Sequence, residues 1–94
     1  MTGSARSTDG LDVRRRRLLY RSWHRGTREM DLILGRFADA HIADLAEQEL
    51  DDYERLLEVP DAELFNWLTG ASPVTQQCDT ALFRRLREFS HRTK

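Results

Sequence analysis

Met30, Ile33, Leu34, Phe37, Ala38 and His41 recur at i, i+3, i+4, i+7, i+8 and i+11. Only a helix of about 3.6 residues per turn gathers such positions on one side, so this stretch is predicted to be an amphipathic helix following Thr27. The stripe dictates what the rest of the chain must do, because an apolar helical face has to be covered by another element. No alternating pattern survives beyond four residues, and Val and Ile are scarce beside Leu, Arg, Glu, Asp and Ala. The covering elements are therefore expected to be helices too.

Four further segments fit that expectation. Residues 11–23 run without Gly or Pro and carry Leu18, Leu19 and Trp23, with Leu11 as a further apolar candidate; Gly26 is placed to end this helix. A third helix is predicted over about 46–58, with Leu50, Tyr53, Leu56 and Leu57 inward, Asp44 as N-cap in a D-L-A-E variant of the capping box, and Pro60 as the stop. Asp61 is expected to cap a short fourth helix, AELFNWLTG, whose Phe65, Trp67 and Leu68 read as core and whose Asn66 reads as a surface contact. Ser72 and Pro73 form an N-cap and first-turn pair, so the last helix is predicted over 74–91, with Cys78, Ala81, Leu82, Arg85, Leu86 and Phe89 on one face. The predicted fold class is all-α, a small single-domain bundle of about five helices over residues 11–91. Residues 1–10 are read as a mobile tail and 92–94 as a frayed end.

The net charge of −1 conceals strong segregation. Residues 1–36 hold nine arginines against four carboxylates, a net +5; residues 37–64 hold one arginine against ten carboxylates, a net −9; residues 65–94 come to +3. Opposed regions of this kind orient a small protein on a partner, although charged residues on helices often do no more than solvate the outer face.

Catalytic chemistry finds little support. His24, His41 and His91 show no HxH or HxxxH spacing, so no metal site is expected. Ser22, Ser72 and Ser90 lie in no nucleophile elbow, and no glycine-rich phosphate loop occurs. Cys78, the single cysteine, sits among apolar positions and reads as a buried, inert thiol. No apolar run approaches the roughly 18 residues of a membrane span. A non-enzymatic binding module is the expectation, in a bacterial cytoplasm, or the mitochondrial matrix if the source has organelles. The run Arg14–Arg17 raises a second reading, a nucleic-acid- or ribosome-associated module, but consecutive residues fan around a helix and cannot all face one phosphate backbone. A regulatory partner-binding protein is a third.

The charge is most concentrated around one glycine, in His24-Arg25-Gly26-Thr27-Arg28-Glu29-Met30-Asp31. Gly26 as a helix end, Thr27 as an N-cap and Glu29 as a partner of the helix dipole account for part of it. Arg25, Arg28 and Asp31 are not needed for that purpose. An interhelical corner bearing arginines and carboxylates also suits a docking surface, and the two readings are compatible.

Arg25-Gly26-Thr27-Arg28-Glu29 resembles the R-G-x-x-E motif of the succinate dehydrogenase assembly factor family, SdhE in bacteria with relatives in mitochondria. The flanking MDLIL and the later LLEVPDAELFNWLTG are similar to that family as well, and the resemblance covers about residues 14–89. It implies a five-helix protein without catalytic activity that binds the flavoprotein subunit of succinate dehydrogenase, in some bacteria also that of fumarate reductase. It further implies that such a protein promotes covalent attachment of FAD, between a histidine of the client and the 8α carbon of the flavin, and leaves before the iron–sulfur subunit docks. Histidine and flavin would then both belong to the client, with no cofactor held stably by this chain, which is expected to be a monomer. By position the motif implies partner-binding roles for Arg25, Gly26 and Glu29, extended by Arg28 and Asp31.

Overall fold

The computed structural model describes residues 10–92. Among these there are five α-helices and two short 3₁₀ turns, and no strand. The helices fall into two compact units, Met1–Leu45 and Ala46–Lys94. The expected tail over 1–10 lies outside the described residues except for Gly10, which sits in a turn; of the expected frayed end, 93–94 lie outside, while Arg92 is still helical.

The first unit pairs α1, Val13–Trp23, with α2, Arg28–His41, followed by a 3₁₀ turn at Ile42–Asp44. Asp12 starts α1: its extended backbone and its Oδ1, which accepts from Arg15 N at 3.2 Å, satisfy one of the free first-turn donors. Leu18, Leu19 and Trp23 of α1 and Met30, Leu34, Phe37 and Ala38 of α2 are buried, with Leu11, Ile42 and Leu45 beside them in sequence. Ile33 and His41, the other members of the α2 stripe, are only half-buried, and the His41 ring leans on Phe37 at 4.8 Å between centroids. The one buried hydroxyl of α1, Ser22, returns its proton to Leu18 O at 2.7 Å, so it carries no unmet polar demand.

Arg15 closes the far end of this unit. Its Nε donates to Ile42 O at 3.0 Å and its Nη2 to Leu45 O at 2.5 Å, meeting carbonyls of the 3₁₀ turn and of the residue that follows it, while Nη1 pairs with Asp12 at 3.3 Å. Charge-assisted bonds of this type contribute more than neutral ones. Arg15→Ala is expected to lower stability by about 2 kcal/mol, measured by urea or thermal unfolding.

The second unit holds α3, Glu47–Leu57; α4, Asp61–Thr69; a 3₁₀ turn at Gln76–Cys78; and α5, Ala81–Arg92. Helix α5 packs on both α3 and α4. Arg85 Nη1 reaches Glu49 Oε2 of α3 at 2.8 Å, and His91 Nε2 meets Leu68 O in the last turn of α4 at 2.8 Å. Trp67 and Phe83 meet edge to face, centroids 6.3 Å apart, a geometry favoured by the ring quadrupoles.

Four sequence expectations are corrected here. Asp44 is not the cap of α3; it is taken up in the 3₁₀ turn, and the chain straightens only at Ala46. Ala46 has no side-chain acceptor, so only half of a capping box forms: Glu49 Oε1 accepts from Ala46 N at 2.8 Å. Asp61 is likewise inside α4 rather than its cap, because Pro60, with its ring-fixed φ of −58° and an extended ψ of 145°, already sets the helical start. The last helix begins at Ala81 and not at Val74. The polar stretch Thr75-Gln76-Gln77 supports only a 3₁₀ turn that tucks in Cys78, and Thr80 then supplies the cap, Oγ1 accepting from Phe83 N at 3.1 Å. The buried face of α5 is therefore Leu82, Phe83, Leu86 and Ser90, with Ala81 and Arg85 exposed. Finally, Phe65 is 39% exposed, whereas Trp67, Leu68 and Tyr53 are buried. Thr80→Ala is expected to cost about 1 kcal/mol and to fray the first turn of α5, readable as faster amide exchange at Phe83 and Arg84.

Candidate functional site

The five candidate residues lie at the bend between α1 and α2, residues 24–31. Helix α1 stops at Trp23, with His24 as its C-cap, so Gly26 comes two residues after the cap rather than directly past the last turn. Its φ of +113° lies beyond even the left-handed helical region, where a side chain is strained, and no atom lies within 4 Å of where its β-carbon would be. The backbone at this point is thus uncovered. Thr27 is extended and caps α2 as expected, Oγ1 accepting from Met30 N at 3.4 Å. Arg21 in the last turn of α1, and Glu29 and Asp31 in the first turn of α2, each complement the helix end on which they sit.

The structure divides the candidates into two groups. Asp31 is half-buried and folds back across the bend, its Oδ1 accepting from Arg25 N at 2.6 Å. It therefore braces the corner by satisfying a backbone donor six residues earlier. Gly26, Arg28 and Glu29 are exposed. Neither the Arg28 nor the Glu29 side chain forms a hydrogen bond or ion pair with another described residue. Their charges are thus presented outward from a bend whose backbone is held. A guanidinium and a carboxylate in that setting offer charge-assisted, directional contacts to a partner.

Sequence reasoning missed three contributors. The Trp23 indole lies directly on Gly35, which is buried in α2, and its Nε1 donates to Asp39 Oδ1 at 3.1 Å, one turn further along. The ring occupies the space that a β-carbon at Gly35 would fill, which explains a glycine in the middle of α2. The i, i+4 spacing of Gly35 and Asp39, set against a tryptophan that needs an N–H acceptor, was the available signal. The third contributor is Tyr20, 64% exposed and stacked on His24 at 3.9 Å, with His24 Nδ1 donating to Tyr20 O at 2.7 Å.

The arginine run does not form one phosphate-tracking face. Arg15 serves carbonyls of its own unit and Arg16 Nη1 donates to Leu11 O at 3.1 Å, while Arg17 is exposed. Among the described residues no three His, Cys, Asp or Glu side chains are grouped so as to hold a metal ion, and no helix is long and apolar enough to cross a membrane.

Comparison with known proteins bears on the same segment. The family model described as Sdh5, flavinator of succinate dehydrogenase, matches residues 16–90. The FAD assembly factor SdhE of Acetobacter pasteurianus is 42% identical over 89 residues, covering 95% of this chain and 82% of that protein. Mitochondrial succinate dehydrogenase assembly factor 2 is 41% identical in Debaryomyces hansenii, over 74% of this chain and 49% of the relative. In Dictyostelium discoideum it is 41% identical over 79% of this chain and 52% of the relative. The chain thus spans most of the bacterial relative and about half the length of these mitochondrial ones. With residues 16–90 matched and more than two-fifths of the bacterial relative's aligned positions shared, the chain belongs to the Sdh5 family, the flavinators of succinate dehydrogenase.

Proposed function

We propose that this chain is an assembly factor that binds the flavoprotein subunit of succinate dehydrogenase and promotes covalent attachment of FAD to it, without catalysing the bond itself. The observation that carries the reading is the braced α1–α2 corner, which presents Gly26, Arg28 and Glu29 outward while Asp31 and Thr27 hold the backbone behind them. Family membership supports a succinate dehydrogenase subunit as the client. Gly26 lets the client's surface approach the backbone; Arg28 and Glu29, with Arg25 beside them, set the docked orientation through charge-assisted bonds.

The reacting groups, a histidine and the flavin, belong to the client, and the assembly factor holds no cofactor of its own. Binding accelerates a reaction only to the extent that it favours the reactive arrangement over the others, about tenfold for each 1.4 kcal/mol of preference. A corner with a fixed backbone suits that requirement, because a pliable one would adapt to every client conformation alike. Residues 11–91 act as the assembly-factor region, as a monomer in the bacterial cytoplasm, with no nucleic-acid partner and no insertion into a membrane.

In-gel flavin fluorescence of the flavoprotein subunit, with and without this protein, tests the reading. Fluorescence is expected to fall to a small fraction when the protein is absent and to return when it is supplied. Equal fluorescence in both lanes would overturn the proposal.

A further inference from the structure

We propose that Gly35 is a positioning residue for the docking corner: the missing β-carbon seats the Trp23 ring, and the seated ring fixes the direction in which α1 delivers residues 24–29. The inference rests on the function proposed above and adds three residues, Trp23, Gly35 and Asp39, that lie outside the motif itself.

The geometry is specific. A β-carbon on Gly35 would overlap Cδ2 and Cε2 of Trp23 and stand 2.7 Å from Cε3, all part of the fused ring and none the end of a flexible chain. Real side chains do not occupy such positions, so the ring would have to leave. Gly35 lies mid-helix and has ordinary helical φ, and alanine there would favour the helix by about 1 kcal/mol. The glycine therefore opposes local helix stability and is explained by the ring it admits. Trp23 is the last residue of α1, one residue before the C-cap. It is 7% exposed, and its only polar atom is met by Asp39. Ring stacking on Gly35 sets how closely the end of α1 approaches α2, and the bond to Asp39 sets the ring's rotation. Two residues further on, Asp31 pins Arg25 N. The corner is thus located by two points on α2, Gly35/Asp39 and Asp31, and losing the first leaves the bend attached but free to swing.

Replacement of Gly35 tests this, with the full chain and the purified flavoprotein subunit. Gly35→Ala is expected to shift the Trp23 indole N–H resonance and speed its exchange, to leave the helical signal unchanged, and to weaken client binding about tenfold or more. Trp23→Leu, which removes the ring and its bond to Asp39 together, is expected to weaken binding as much as Gly35→Ala does, and the two substitutions combined no further, because both remove the same anchor. Asp39→Ala is expected to weaken binding severalfold, and Asp39→Asn, which keeps an acceptor for the indole, to restore it. Should Gly35→Ala fail to fold, the Asp39 pair decides. Wild-type affinity in Gly35→Ala despite a displaced indole overturns the proposal. So does wild-type affinity in Trp23→Leu, a combined variant far weaker than either single one, or Asp39→Asn as weak as Asp39→Ala. Failure of the unaltered chain to bind the flavoprotein at all would instead overturn the proposed function, and is distinguished by that control.

Discussion

Gly26→Arg is expected to abolish flavin attachment to the client while the variant stays helical. Two quantities make the separation possible. The backbone at Gly26 has φ +113°, so any side chain there costs about 1–3 kcal/mol, a tolerable fraction of the roughly 5–15 kcal/mol that holds a domain of this size together. The space around the β-carbon is open, so no further clash inside the protein adds to it. The arginine side chain would then stand where the client must approach, between the charges of Arg28 and Glu29. Gly26→Ala supplies the control, because it carries the backbone strain with almost none of the bulk. In-gel flavin fluorescence should be lost for arginine and largely kept for alanine, with circular dichroism showing helical spectra for both. Equal loss in the two variants would assign the glycine's importance to the bend's own conformation. Unfolding of Gly26→Arg would reduce Gly26 to a feature of the fold alone.

Glu29→Lys should weaken client binding by roughly 3 kcal/mol, about a hundredfold in Kd, if Glu29 meets a cation of the flavoprotein at the centre of the contact. Its effect on folding is set by a different and smaller interaction. Glu29 is exposed in the first turn of α2, where a carboxylate complements the helix dipole by about 0.3–1 kcal/mol. Reversal of the charge is therefore expected to move Tm by only a few degrees. Calorimetric titration against the flavoprotein subunit, run beside a thermal melt, separates the two. A fall in Tm with unchanged affinity would remove Glu29 from the docking surface.

What could be read from the sequence follows the range of the forces involved. The helix over Met30–His41 was legible because its stripe is written at helical spacing within one segment, and Thr27 was legible as a cap because capping acts over three residues. The all-α class follows from the same local signals. Boundaries went wrong where two nearby residues competed for one role. Asp44 has the better cap side chain, but Ala46 is where the chain straightens; Ser72-Pro73 looked like a start, but Thr80 precedes the residues that pack. Phe65 read as core because a phenylalanine beside Leu64 and Leu68 looks apolar in any window, yet its side of α4 stays open. At the site, the clustering of Arg25, Gly26, Arg28, Glu29 and Asp31 was visible as sequence. The inward turn of Asp31 onto Arg25 N was not, since it depends on the path of the bend. The requirement at Gly35 was least legible, because its cause is a ring twelve residues earlier.

The placement of the two tryptophans has a practical consequence. One indole sits in each compact unit, Trp23 against glycine and a carboxylate, and Trp67 against the edge of a phenyl ring. Each half of the molecule therefore carries a native fluorophore in a distinct local field. Replacing Trp67 by phenylalanine would leave Trp23 as the single indole emitter, which would show optically how the half that carries the bend melts and how it responds when the client arrives.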